Sequence, residues 1–335
     1  MGKPVKSKRV TQRDIAKKIG ISVAAVSRAL AEDPLISADT RVSVQQVADN
    51  MGYVPDRAAQ RLRTGRTNVI CLILPPHEEI LSFSTSLVRG ITLGLEKSQY
   101  HLVVLPDFNT ETSDSTIRRV VENGLADGVL LSKSEPNDIR IRYLIESDFP
   151  FVCHGRTELA TQHPYVDFDN YQFAYQSVTQ LIAKGADKMM ILLPPDHLTF
   201  HHHLWHGFRD SARKAGVAFE KIEMVTLDSE PEEIAQTLKE RFNKPLPPNG
   251  LILPGDTSAL ATLAALIDIG RLPGVDTHLV VKQTSGIFGL VRPKISSVFE
   301  DITAAGELMA DFLMQRIDGV EPQHLQCVQK IKERQ

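Results

Sequence analysis

The sequence predicts two kinds of structure in one chain: a small all-α head, and an α/β body of two doubly wound parallel-sheet halves. Three observations lead there. Residues 1–67 carry 13 Lys and Arg against 6 Asp and Glu, whereas the rest of the chain is net −10. The head holds three short segments with apolar residues at helical spacing. From residue 69 onward, apolar runs alternate with amphipathic segments, and the series occurs twice. That alternation is the pattern of parallel strands covered on both faces by helices.

At 335 residues the chain has room for about two or three domains. No apolar run approaches the roughly 20 residues that span a bilayer. The opening "MGKPVKSKRVTQRD" is basic without an apolar core, so no secretory signal is expected. Cys71, Cys153 and Cys327 form no C-x-x-C pair. Buried free thiols in a reducing cytoplasm are therefore expected.

In the head, Thr11 is placed to cap a first helix, with Asp14 completing a near capping box. Ile15, Ala16 and Ile19 face one side, and Gly20 breaks the pattern. Ser22 can cap a second helix whose inward face is Val26 and Leu30, joined at its start by Val23. Ser37 can cap a third, with Val44, Val47 and Met51 inward and Gly52 closing it. Two short helices across a glycine turn, with a third to complete the core, form a helix-turn-helix pattern. Such a motif sets the start of its second helix against base edges in the major groove. The positions concerned are Val23, Ala24, Ser27 and Arg28. Arg28 can read guanine with two hydrogen bonds, and Val23 or Ala24 can pack on a thymine methyl. Thr11, Ser22, Thr40 and Tyr53 are candidate DNA contacts of the kind that fix register on phosphate. A basic head on an acidic body favours a polyanionic partner over a protein-interaction module.

The stretch from "VTQRDIAKKIGISVAAVSRAL" through "GYVPDRAAQRLRTGRTNVICLILP" resembles the N-terminus of the LacI/GalR family of bacterial transcription regulators. The resemblance implies a helix-turn-helix domain at 1–55, a hinge helix and linker at 56–67, and an effector-binding and dimerisation domain at 68–335. It implies the periplasmic-binding-protein type I architecture for that body. The first half would take about 68–165 and 300–325, and the second about 166–299 with the C-terminus. "RAAQRLRTGR" is too short to hold a helix alone, since isolated helices are marginal below about 12–15 residues. In the family it folds when two copies pair over DNA and a leucine from each wedges into the minor groove. Leu62 falls at that position. Ala58 and Ala59 are small enough for close approach, and Arg57, Arg61 and Arg63 would follow the phosphates. Asp56 stands where members often carry Asn.

Expected body strands are 69–75, 101–107, 128–132 and 149–155, then 188–195, 223–228, 250–256 and 278–284. The segment from "ISSVFEDITAAGELMADFLMQRIDG" would cross back to the first half, as the resemblance implies. Ligands of such sheets lie beyond the strands' carboxyl ends. Strand-end positions therefore supply the effector candidates Phe83, Ser84, His154, Arg156, Asp169, His203, Leu204, Asp256, Lys282, Gln283 and Thr284, with Asp167 and Asn170 as further polar candidates. His154 falls where family members carry a ligand-contacting Asp. Two departures stand out: Leu204 occupies a usual Arg position, and Thr284 a usual Asp position. The wording "HGR…HPYVDFDN" and "VVKQ" is similar to a branch linked to oligosaccharide or α-glucoside use.

No G-x-G-x-x-G, P-loop, G-x-S-x-G or H-E-x-x-H is found, so neither an enzyme nor a cofactor is expected. His202 and His206 have metal-ligand spacing but lack a nearby third ligand, and no metal is expected. The chain is expected to be a DNA-binding regulator, a repressor by family resemblance, acting as a homodimer on a pseudo-palindromic operator under a carbohydrate effector. "VQKIKERQ" is too short for a heptad extension, so a dimer is expected. The alternative is a solute-binding protein without DNA function, against which the well-formed basic head argues.

Overall fold

The computed structural model describes residues 10–54, 61, 65–74, 83–107 and 114–331. The chain divides into a unit ending at Thr67 and a unit from Asn68 onward.

The first unit contains α1 (Gln12–Ile19), α2 (Val23–Leu30) and α3 (Ala38–Asn50). Each start is fixed by a side chain. The Asp14 carboxylate accepts from the Thr11 N–H at 2.9 Å and its hydroxyl at 2.7 Å. Ser22 Oγ accepts the Ala25 N–H, and Ser37 Oγ the Thr40 N–H. Such caps satisfy donors that a helix start leaves orphaned. Gly20 ends α1 at φ 82°, a conformation that costs a residue with a Cβ about 1–2 kcal/mol. Ile15, Ala16, Val26, Ala29, Val44 and Ala48 form the core. Ala29 and Ala48 were not expected there, and Val23 was. Val26 and Ala29 centre the buried stripe of α2, and at 3.6 residues per turn Val23 falls roughly 90° away. It is 43% exposed.

The body has eight helices and eleven strands among the described residues. In chain order they are β1 (Val69–Leu74), α4 (Phe83–Leu95), β2 (His101–Pro106), α5 (Ser115–Glu122), β3 (Gly128–Leu131), α6 (Ile139–Glu146), β4 (Phe151–His154) and β5 (Tyr165–Phe168). Then come α7 (Asn170–Ala183), β6 (Lys188–Ile191), α8 (Thr199–Ala215), β7 (Ala218–Lys221), α9 (Pro231–Phe242), β8 (Gly250–Leu253) and α10 (Asp256–Asp268). Last are β9 (His278–Gln283), β10 (Ser296–Phe299), α11 (Ile302–Ile317) and β11 (Gln326–Gln329). The strands make two parallel sheets, ordered β11-β5-β4-β3-β1-β2 and β10-β9-β8-β6-β7. Central strands β3 and β8 are buried throughout, which explains their unbroken apolar sequence. Each sheet is packed on both faces by its own apolar clusters.

Three differences from the sequence expectation concern the boundaries. Residues 166–168 belong to β5, which pairs with β4 in the first sheet, so the second half does not begin at 166. The C-terminal β11 also lies in the first sheet, pairing Gln326 with Tyr165. Ile331, the last described residue, packs against the second half. Residues 223–228 are not a strand. Val225 and Leu227 are buried, but Met224 between them is 95% exposed at φ 72°. The paired strand is β7, just before it.

Strand order reverses between β1 and β3 in the first sheet and between β6 and β8 in the second. The chain passes between the halves from β5 to α7 and again from β10 to α11. Gly207 lets α8 lie directly on α7, because a Cβ there would run into the Tyr171 carbonyl oxygen.

Candidate functional site

Between the two halves of the body lies a cleft of about 800 Å³, counting the space open to solvent at its mouth. It stands at the carboxyl ends of strands from both sheets, where open α/β sheets leave a crevice. Its walls come from Leu74, Phe83 and Ser84 around the start of α4, Ser132–Ser134 after β3, and His154–Arg156 after β4. The second half contributes Thr199, Phe200 and His203 from α8 and Lys282 from β9. Asp167, Asn170 and Glu300 stand at the two crossings and form the floor.

The floor is ionic. Lys282 Nζ lies 2.6 Å from Glu300 Oε2 and donates to Asn170 Oδ1 at 2.8 Å. The Phe168 and Phe200 rings flank the same ammonium. Arg156 Nε is 2.9 Å from Asp167 Oδ2, an ion pair whose geometry is not aligned for a hydrogen bond. Burial raises the Asp167 carboxyl to about 6, although the Arg156 charge pulls it down. His154 Nε2 is 3.8 Å from Glu300 Oε1, and its ring meets Phe83 edge-on. Burial holds its imidazole below the usual range, opposed by the Glu300 charge. Burial, reinforced by the Arg156 charge, lowers His203 to about 4.

Six buried side-chain atoms of this lining have no hydrogen-bond partner: Ser132 Oγ, His154 Nε2, Arg156 Nε, Asp167 Oδ2, Thr199 Oγ1 and His203 Nδ1. Buried polar groups are usually satisfied. Their concentration in one cleft marks it as built for polar occupants, whether solvent or ligand.

The rim is bridged across the halves. The Thr199 N–H donates to the Ser134 carbonyl at 2.9 Å. Lys133 Nζ reaches both carboxylate oxygens of Asp228, at 3.1 and 3.2 Å. His202 Nδ1 is 3.3 Å from Glu158 Oε1. His202 therefore meets a carboxylate and the ring of His206, and no group of three His, Cys, Asp or Glu placed to hold a metal occurs among the described residues.

Of the expected effector residues, Phe83, Ser84, His154, Arg156, His203 and Lys282 line the cleft. The other five do not. Asp169 caps α7 by accepting the Gln172 N–H. Leu204 is fully buried in the second half's core. Asp256 accepts from the Thr284 N–H, the Thr284 hydroxyl and the Ser285 hydroxyl, so Asp256 and Thr284 satisfy each other. Gln283 donates to Ser297 and accepts the Phe288 N–H. Lining residues missed were Leu74, Ser132, Lys133, Ser134, Gly155, Thr199, Phe200 and Glu300. Ser132–Ser134 and Glu300 directly follow strands, so the strand-end rule could have found them.

On the head, Val23, Ala24 and Arg28 are exposed on α2 and Ser27 is half-buried beside them. Arg28 Nε is held by Asp33 Oδ2 at 2.8 Å. That bond, with the Leu35 N–H, holds the Asp33 carboxyl below its usual range. Thr11 and Ser22 cap their helices, Thr40 Oγ1 meets Ser37 Oγ, and Tyr53 packs on the head core. Arg57, Ala58, Ala59, Leu62 and Arg63 lie outside the described residues.

Residues 11–56 match the family described as bacterial regulatory proteins of the lacI family. Residues 67–331 match the periplasmic binding proteins and sugar binding domain of the LacI family. The chain is 30% identical to the HTH-type transcriptional regulator AglR of Rhizobium meliloti, over 86% of this chain and 81% of that one. It is 27% identical to the regulator RafR of Escherichia coli over 93% of both chains. A lac repressor dimer bound to operator and the anti-inducer ONPF superposes with a TM-score of 0.79 at 19% identity, over 97% of each chain. A complex of the transcriptional regulator CelR with cellobiose gives 0.69 at 23% identity, over 97% of this chain and 98% of that one.

Proposed function

Because the chain belongs to the LacI family of bacterial transcription regulators, we propose that it represses transcription as a homodimer under a carbohydrate effector. It acts inside the cell and without catalysis. Each head reads half of a pseudo-palindromic operator, with Arg28 on a guanine edge and Val23 and Ala24 beside it. Arg57, Ala58, Ala59, Leu62 and Arg63 form a hinge over the centre of the site, where Leu62 wedges into the minor groove.

The observation carrying the effector reading is the set of six buried polar atoms in the cleft that make no hydrogen bond, two of them ion-paired with each other. A polyhydroxylated ligand supplies both donors and acceptors to such a set. Phe83 and Phe200 offer apolar walls to its C–H faces. One relative in structure is a complex with cellobiose. Closing or opening the halves around the ligand changes the equilibrium of the hinges, and reciprocally operator binding changes ligand affinity.

Selection from a randomised duplex pool with the full chain, with and without a panel of neutral oligosaccharides, tests this reading. The expected result is a palindromic site whose affinity at fixed salt changes with one sugar. No enrichment over random duplex at matched salt would sink the regulator reading. Enrichment indifferent to every sugar would remove the carbohydrate.

A further inference from the structure

Among the described residues lining the cleft, the lysines and arginines are Lys133, Arg156 and Lys282. Each sits against a carboxylate: Asp228 at 3.1 Å, Asp167 at 2.9 Å and Glu300 at 2.6 Å. No positive charge of the lining is left over. We propose that the effector is an uncharged polyhydroxylated molecule, and that Asp167 and Glu300 exclude its phosphorylated and carboxylated forms. The proposal rests on the cleft being the effector site.

Hydrogen-bond chemistry points the same way. Asp167 Oδ2 is buried without a hydrogen-bond donor. A ligand hydroxyl can donate to it, whereas a phosphate-ester dianion or a carboxylate has no proton to give. An anion would also add like charge beside two carboxylates that are each at most 4% exposed, where interactions are poorly screened. Ser132 Oγ and Thr199 Oγ1 can each donate to or accept from a hydroxyl. The lowered His154 and His203 imidazoles are neutral near pH 7, so they add no charge and can accept as well as donate.

Inorganic phosphate is a probe that needs no knowledge of the effector. Thermal unfolding of the full chain is followed with increasing phosphate, against chloride at matched ionic strength, in wild type, Glu300→Gln and Asp167→Asn. Phosphate on the basic head acts equally on all three, so the difference between them reports the cleft. Wild type should show no saturable cleft stabilisation, and at least one variant should gain it, because its Lys282 or Arg156 is then uncompensated. A saturable phosphate effect in wild type that Lys282→Met abolishes would overturn the proposal while leaving a sugar-phosphate effector open. A second arm titrates neutral disaccharides and hexose phosphates by calorimetry. A neutral sugar favoured by about tenfold or more, roughly 1.4 kcal/mol, supports the proposal. Equal or tighter binding of a phosphate ester overturns it. Absence of phosphate gain in both folded variants also counts against it, whatever the sugars do.

Discussion

Lys282 of β9 joins Glu300 and Asn170, and these two residues stand at the two points where the chain passes between the halves of the body. One buried ammonium therefore ties both crossings together at the floor of the cleft. A ligand that takes a hydrogen bond from this floor acts directly on the two segments that connect the halves.

Removing one partner should expose the cost of the other. Lys282→Ala leaves the Glu300 carboxylate buried without its lysine, with only the His154 imidazole at 3.8 Å, and should lower stability by about 3–5 kcal/mol. The double change Lys282→Met with Glu300→Leu should recover most of that. Denaturant unfolding of the body, read by its own transition, checks both. A loss under about 1 kcal/mol for Lys282→Ala, the range of exposed pairs, would mean that the floor is open to water.

Arg28 faces two competing partners, Asp33 and a base. Arg28→Ala should relax preference at one base position per half-site, costing about 1–3 kcal/mol of discrimination there. Asp33→Asn frees the guanidinium and should leave the preferred base unchanged while altering affinity. Base-by-base substitution of the selected operator reads both; an unchanged specificity profile for Arg28→Ala would refute base reading.

Leu62→Ala should weaken specific operator binding and spare most salt-sensitive binding to random duplex, because a wedge acts at a base step and arginines act on phosphate. Competition binding at several salt concentrations separates the two. Equal loss of both would assign the leucine to packing on the protein itself.

His203 should make the body acid-sensitive. Its folded pKa of about 4 lies below its ordinary 6.5. The unfolded chain therefore binds the extra proton first as pH falls through this window, and stability drops between about pH 6.5 and 4. Asp167, raised from 3.8 to about 6, contributes with the opposite sign: its stabilisation is present at low pH and lost as pH rises through 4–6. His203→Gln should thus lessen the loss of thermal stability on acidification. An identical pH profile for wild type and variant would assign the sensitivity elsewhere.

Gly207→Ala should part α7 from α8, since its Cβ meets the Tyr171 backbone. Overpacking of this kind costs about 1–3 kcal/mol, measurable as a lowered unfolding midpoint with DNA binding by the folded protein retained.

Much of this architecture was legible from the sequence because local chemistry fixes it. Thr11, Ser22 and Ser37 announce their helices, and the apolar runs of β1, β3 and β8 can only be buried strands. Short strands at or next to a sheet edge were harder: "YVDF", "SSVF" and "QCVQ" carry too few apolar residues to stand out. In the cleft, the strand-end rule located His154, Arg156 and Lys282 but could not decide direction. Asp256 follows the end of β8 and opens α10, yet it turns to Thr284, 28 residues away, a partner no local pattern reveals. Glu300 was passed over for the converse reason: its segment was read as a connection, and the connection forms the floor.

Strand β11 closes the edge of the first sheet against β5, although the two are separated by most of the second half. During synthesis that edge stays unfilled until residue 329 has left the ribosome, whereas the head needs nothing beyond residue 53 for its core. At about 5–20 residues per second, the interval is on the order of 15–55 s. Each nascent chain therefore carries a folded, basic head for that time before the body has a complete first half.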